Sequence, residues 1–283
     1  MRGRVLIVAG SDSGGGAGIQ GDIKTVTALG GYAATAITAL TAQNTETVHD
    51  VMAVPPAFIA RQIDVVLTDI GADCIKTGML ATAEVIDAMC GVLEAKARSI
   101  PIVVDPVMVA KGGARLLDPD AVATLKRRLM PIATVLTPNL PEAETLSGMT
   151  VRDSEDMRDV AAALSAAGPK AVLLKGGHLA GDVVHDVLAT EDGIELFTSP
   201  RIETVHTHGT GCALASAIAT GLAQNLPLRD AVERARAYVH EAIRLAPKLG
   251  HGHGPIAHGH TVRPPGPESV GSGPADTATA SDD

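Results

Sequence analysis

The chain alternates. Short apolar runs, each followed by a polar or glycine-rich loop and a stretch with helical spacing, recur from the N-terminus to about residue 245. The runs fall at 4–9, 33–40, 73–76, 100–104, 133–136 and 171–174. Runs this short, mostly apolar and not strictly alternating with polar residues, suit strands covered on both faces. Between them, Ile19, Ile23, Val26 and Leu29 are spaced for one helical face, as are Phe58, Ile59, Ile63 and Leu67. Segments 83–97, 119–129, 154–167 and 228–245 read as further helices. Strands alternating with helices make a sheet of the α/β class. Residues 183–188 and 194–197, short and β-branched with EDG between them, read as a hairpin instead.

Composition limits the function. Aromatic residues are 1%, with no Trp, which leaves little for stacking on single-stranded nucleic acid. A net charge of −9 argues against nucleic-acid and anionic-membrane surfaces. The three cysteines, Cys74, Cys90 and Cys212, are too scattered for a disulfide framework or a zinc site, so a reducing, cytoplasmic setting fits. The apolar run near the N-terminus is too short for a signal-peptide core, and no segment is long enough to span a membrane.

The loops after the strands carry the chemistry. In a doubly wound sheet such loops share one edge, where ligands bind. The first, GSDSGGGAG, places Asp12 among more glycines than a turn needs, enough for a small polar ligand to lie against the backbone. It matches neither a P-loop nor a dinucleotide fingerprint. Gln43 offers an amide suited to a nitrogen heterocycle, or sits in a solvated turn. Met79 is a core residue or a pocket wall. Asp105, at a strand end, can hold Mg²⁺ through water or act as a turn aspartate. The loop 107–113 can line or cover a pocket. Asn139 and Glu142 form either a capping box or an amide and carboxylate ordering Mg²⁺ and phosphate. Lys175, before two glycines, can neutralise nucleotide phosphates.

The stretch HTHGTGCALASAIATGLAQ, 206–224, turns through glycines into an alanine-rich helix. Backbone N–H groups of Gly209, Thr210 and Gly211 at the helix start favour an anion, most simply phosphate. Cys212 lies in the same positive field, which is expected to lower its pKa. The competing reading is a glycine turn capping a buried helix, with Cys212 in the core. Beyond Gly250, His251, His253, His258 and His260 lie in a Gly/Pro-rich segment for which adventitious metal capture is the most that is expected. Residues 261–283 read as a disordered tail after one domain at 1–260.

Taken in order, AGSDSGGGAGIQGDIKT, TALTAQNT, KTGML, DPVMVAKGG, TPNLPEAE, LLKGGH and THGTGC resemble the hydroxymethylpyrimidine/phosphomethylpyrimidine kinases of thiamine biosynthesis, in the ribokinase-like superfamily. The resemblance implies a central, mostly parallel sheet with helices on both faces. It implies ATP and Mg²⁺ as cofactors and a small-molecule pyrimidine substrate. The expected reaction is phosphorylation of 4-amino-5-hydroxymethyl-2-methylpyrimidine and then of its monophosphate. A pyridoxal kinase on the same fold is the alternative, and a non-catalytic sensor a more distant one. By resemblance the pyrimidine lies near Gly10, Ala17, Gln43, Met79 and Val107. Asn139, Glu142 and Lys175 match magnesium and ATP-phosphate positions, and residues 209–211 match the anion hole. Cys212 stands where the related sugar kinases carry an aspartate base. The superfamily's habit implies a homodimer. The chain departs from common family wording at SDSGGG, Gly21, Thr77 and Val205–His206; only SDSGGG and Thr77 lie near the expected substrate.

Overall fold

The structure is a computed structural model that describes residues 2–110 and 112–263. One nine-stranded sheet runs through it, in the order β3-β2-β1-β4-β5-β6-β7-β8-β9. Its elements follow the chain as β1 (Arg4–Asp12), α1 (Gly18–Ala28), β2 (Tyr32–Gln43), β3 (Val48–Ala53), α2 (Pro56–Asp69), β4 (Cys74–Thr77) and α3 (Ala83–Lys96). Then come β5 (Ile102–Val104), α4 (Pro119–Thr124), β6 (Val135–Leu136), α5 (Leu140–Ser147) and α6 (Ser154–Ala166). The last are β7 (Val172–Lys175), β8 (Val183–Thr190), β9 (Gly193–Pro200), α7 (Thr210–Ala223) and α8 (Leu228–Arg244).

Strands β2, β1, β4, β5, β6 and β7 pair in parallel; β3, at one edge, and β8 pair antiparallel to their neighbours. The side chains explain why helices cover both faces. Along β1, Leu6 and Val8 enter one core and Val5, Ile7 and Ala9 the other, because successive strand residues point opposite ways. β5 does the same, with Ile102 and Val104 on one side and Val103 on the other. Helices α2 to α6 close the first core, and α1, α7 and α8 the second. Helix α7 is apolar nearly all round and its residues 213–221 are all buried, as such a helix must be.

The elements differ from the sequence reading in instructive places. β1 runs past Gly10 to Asp12, and β2 extends to Gln43, so both residues sit on strand ends. The antiparallel strand β3, mostly exposed, has no apolar run to announce it. β5 starts at Ile102, since Pro101 has no N–H for the ladder. The helix expected over 119–129 is α-helical only to Thr124. It widens into a π-turn at Leu125–Leu129 and tightens into a 3₁₀ turn at Met130–Ile132, where Pro131 cannot continue the hydrogen-bond ladder. The histidine segment is no loose appendage. Ile256 is buried, and Tyr238 Oη donates to His258 O at 2.6 Å. Thr261 Oγ1 donates to Ala28 O, so packing continues to the start of the expected tail. Residues 264–283 lie outside the described residues.

β1 is flanked by β2 on one side and β4 on the other, so strand order reverses there. That opens a crevice at the carboxyl ends of β1 and β4. Beneath it, Lys76 Nζ donates to Asp22 Oδ2 at 2.8 Å, and Ser216 Oγ donates to Asp22 Oδ1 at 2.7 Å. Lys76 and Asp22 are wholly buried, and the pair ties β4 to α1 and α7. Burial works against the Lys76 ammonium, but Asp22 overrides it and holds its pKa above the ordinary lysine value. Removing one partner leaves an uncompensated buried charge. Lys76→Met is expected to cost about 3–5 kcal/mol in urea unfolding, whereas Lys76→Met with Asp22→Leu should cost less than either single change.

Candidate functional site

The crevice opens into a cleft of about 690 Å³, within the usual range for small-molecule sites. Gly10, Asp12, Ala17, Gln43, Met79, Asp105, Val107, Asn139, Glu142, Lys175 and residues 209–212 all line it. They come from seven loops spread over some 200 residues of chain, gathered by the parallel order of the strands.

At one end, backbone and side chain interlock. Asp12 Oδ1 accepts the N–H of Gly14 at 2.8 Å. Its Oδ2 accepts those of Gly16 at 3.0 Å and Ala17 at 2.8 Å, and lies 2.8 Å from His208 Nε2. Burial pushes the Asp12 carboxyl up, but His208 and these N–H groups outweigh it and hold its pKa below the ordinary value. These contacts give Asp12 a structural part in the loop. Its lone pairs are spent on folding the glycine loop and fastening it to the turn before α7. Gly18 has φ +54° and Gly209 φ +86°; a Cβ on either would lie 2.4 Å from Gly10 O or 1.9 Å from Gly16 O. Only glycine permits both the conformation and the contact. Above this interlock Met79 packs over Gly10, where a Cβ would meet Met79 Sδ at 3.0 Å, and Gln43 projects from the end of β2.

At the other end lies the start of α7. Its N-cap is Gly209, with no side-chain cap. The N–H groups of Gly211 and Cys212 fall in the first turn, where no intrahelical acceptor exists. A Cβ on Gly211 would sit 3.3 Å from Lys175 Nζ and 3.9 Å from Asp105 Oδ2, so the turn faces both charges. Lys175 Nζ donates to Asp105 Oδ1 at 3.0 Å. Burial disfavours the Lys175 ammonium, but Asp105 and Glu142 keep its pKa raised. Asn139 and Glu142 do form a capping box: Asn139 Oδ1 accepts the Glu142 N–H at 3.0 Å, and Glu142 Oε2 accepts the Asn139 N–H at 2.8 Å. Burial, with Asp105 adding to it, pushes the Glu142 carboxyl up to about 7 despite Lys175.

The expected activation of Cys212 is overturned. Part of its surface meets the cleft, yet its thiol is pushed up to about 12. Desolvation is the largest cause, and Asp22 and Asp105 add to it; Lys76 opposes them and is outweighed. The helix terminus alone does not prevail in so enclosed a place. The histidine segment has a packing role. Among the described residues, no group of three or more His, Cys, Asp or Glu is arranged to hold a metal ion. The segment instead straps the cleft's rim: His208 N–H donates to Gly254 O at 3.1 Å and His253 N–H to Thr45 O at 2.8 Å.

Sequence reading missed several residues that shape the cleft. Lys76 and His208 line it, although one looks like a strand residue and the other like turn polarity. Arg201 donates to Gly177 O, Leu179 O and Gly181 O and so holds the loop after β7. Asp186 accepts from Gly176 N–H at 3.0 Å and Arg236 Nε at 2.8 Å. Each partner is distant in sequence, so no local spacing reveals the pairing. A raised thiol pKa keeps Cys212 protonated well above neutral pH. Alkylation of Cys212 in the native protein is expected to run about 10³-fold slower than for an ordinary thiol at pH 8 and to climb through pH 9 without a plateau. Comparing iodoacetamide labelling of the native chain and of Cys212→Ser checks this; a plateau near pH 7 contradicts it.

Comparison with known proteins places this geometry. A family model described as phosphomethylpyrimidine kinase matches residues 12–257. The chain is 57% identical over 258 residues to the thiamine biosynthesis bifunctional protein ThiED of Geobacter sulfurreducens, covering 91% of this chain but 52% of that protein. It thus spans about half the length of that relative. It is 47% identical to the hydroxymethylpyrimidine/phosphomethylpyrimidine kinase of Streptomyces coelicolor, covering 90% of this chain and 94% of the relative. Among solved structures, pyridoxal kinase of Bacillus subtilis in an ADP complex superposes with a TM-score of 0.85 at 35% identity, covering 91% and 98% of the two chains. Phosphomethylpyrimidine kinase of Clostridium difficile superposes with a TM-score of 0.76 at 39% identity, covering 85% and 99%. The fold is therefore ribokinase-like, and the chain belongs to the phosphomethylpyrimidine kinase family.

Proposed function

We propose that the chain is an ATP-dependent kinase that phosphorylates 4-amino-5-hydroxymethyl-2-methylpyrimidine and then its monophosphate to the diphosphate, in thiamine biosynthesis. The observation that carries this reading is the two-ended cleft. One end offers an amide and a thioether to a flat heterocycle, and the other a bare helix N-terminus beside a lysine. The names of the Streptomyces and Clostridium relatives support it. The pyridoxal kinases share the fold, and their ring also carries a hydroxymethyl group, which keeps them the nearest rival.

In this reading Gln43 and Met79 hold the ring with its hydroxymethyl group toward the start of α7. The hydroxyl oxygen attacks the γ-phosphorus of ATP, the bond to the β–γ bridging oxygen breaks, and ADP leaves. The N–H groups of Gly211 and Cys212 and the Lys175 ammonium meet the charge on the transferring phosphoryl group. With Cys212 protonated at rest, no thiolate awaits the hydroxyl proton; it leaves late, onto a phosphoryl oxygen. Asp105 and Glu142 suit Mg²⁺, since two mutually repelling buried carboxyls, one pushed up to about 7, are relieved by a dication. The ion would supply charge neutralisation of the phosphates, and Asn139 holds Glu142 in place for it.

Residues 1–260 form the kinase domain in this proposal, and a homodimer in the cytoplasm is its expected state. No helix among the described residues is long and apolar enough to cross a membrane.

A panel of both pyrimidine forms and the vitamin B6 vitamers tests the reading. ADP release with the pyrimidine and with its monophosphate is expected; release with pyridoxal alone would move the chain to the rival activity. Gln43→Ala should raise the pyrimidine KM about tenfold or more while leaving the ATP KM nearly unchanged; equal effects would take Gln43 off the ring. Gly211→Ala adds a Cβ in the anion turn without a positive φ to strain. It should lower kcat about 10²-fold, well beyond Cys212→Ser, in steady-state assays.

A further inference from the structure

We infer that Ser13 is a positioning residue for the ring: its hydroxyl fixes the backbone of Gln43 and so aims the Gln43 side chain into the cleft. The substrate named below rests on the kinase reading, whereas the contacts do not.

β1 and β2 run in parallel register as far as Asp12 and Thr41. β1 then leaves the sheet for the glycine loop, while β2 continues to Gln43. On that side Gln43 has lost its strand partner, and its N–H and C=O need another. Ser13 supplies it. The Gln43 N–H donates to Ser13 Oγ at 2.8 Å, and the same hydroxyl donates to Gln43 O at 2.9 Å. A hydroxyl has one hydrogen and two lone pairs, so it serves both groups at once. One serine thus stands in for the next step of the ladder.

The hydroxyl is itself held in place. Asp12 before it is buried, and the N–H of Gly14 after it donates to Asp12 Oδ1 at 2.8 Å. The loop lies close on the strand end, since a Cβ on Gly14 would stand 3.4 Å from Gln43 O and 3.7 Å from Asn44 Cα. On its other edge β2 is irregular here: its register with β3 shifts between Ala42 and Gln43. Such a shift loosens the ladder, and a residue that turns in a strand carries its side chain off the face it serves. Two bonds to the backbone of one residue oppose that turn and fix the direction of its Cα–Cβ bond.

Gln43 lines the cleft and Ser13 does not, so Ser13 acts on the ring through Gln43. Ser13 also belongs to SDSGGG, where the chain departs from common family wording near the expected substrate. The two bonds give that departure a physical consequence.

Steady-state kinetics test the inference. Ser13→Ala is expected to raise the pyrimidine KM about fivefold with the ATP KM unchanged, and Ser13→Thr, which keeps the hydroxyl, to restore it. In a Gln43→Ala background, Ser13→Ala should add nothing to the pyrimidine KM, because the group it aims is gone. An unchanged pyrimidine KM in Ser13→Ala, an equal rise in the ATP KM, no recovery in Ser13→Thr, or a further rise on Gln43→Ala overturns the inference. Calorimetric binding of the pyrimidine separates the two readings. A wild-type chain that binds it without turnover refutes the kinase reading, and Ser13→Ala then decides this one: binding about fivefold weaker upholds it, and equal binding overturns it. A wild-type chain that does not bind the pyrimidine overturns both.

Discussion

The Asp12 carboxylate is the contact on which the cleft depends. It gathers three N–H groups of the adjoining glycine loop and the imidazole of His208, which lies 196 positions away in the chain. One side chain thereby folds the first βα loop and fixes where helix α7 begins. The ring end and the phosphate end become one rigid body, with Gly16, Gly18 and Gly209 giving the closeness that any Cβ would forbid. A negative charge held by several N–H donors is stable where a bare one would be costly.

Charge compensation explains the rest of the cleft. Lys76 answers Asp22 in the wholly buried floor, and Lys175 answers Asp105 at the wall. Glu142 shares Lys175 with Asp105, and burial, with Asp105 adding to it, outweighs that share and keeps its pKa raised. The same enclosure governs Cys212. A helix N-terminus favours a thiolate, but loss of water and two nearby carboxylates favour the thiol more strongly, and the balance falls on the thiol. In such a site the backbone dipoles, which carry no proton, are the stable source of positive potential.

Much of this was legible in the sequence, for physical reasons. Apolar runs and helical spacing predict the alternating elements, because burial on both faces leaves few polar residues in a strand. Loops at strand ends predict the site, because a parallel sheet brings those ends to one edge. What stayed hidden was long-range pairing. Nothing near Lys76 announces Asp22, and nothing near His208 announces Asp12. Strand β3 pairs through its backbone with little burial, so its composition says little. The thiol of Cys212 was misread because a helix start is visible in sequence whereas depth of burial is not. The part played by the histidine segment was hidden for the same reason: its glycines fit close packing against Thr45 and His206, a fact only the fold contains.

The central claim is that the two ends of the cleft hold the two reactants face to face. A crystal structure with the aminopyrimidine, Mg²⁺ and a non-hydrolysable ATP analogue tests it most directly. The account predicts the γ-phosphate on the Gly211 and Cys212 N–H groups and the hydroxymethyl oxygen about 3–3.5 Å from its phosphorus, with the ring edge on Gln43. Phosphates bound away from the start of α7, or a ring turned with its hydroxymethyl group out of the cleft, would contradict it.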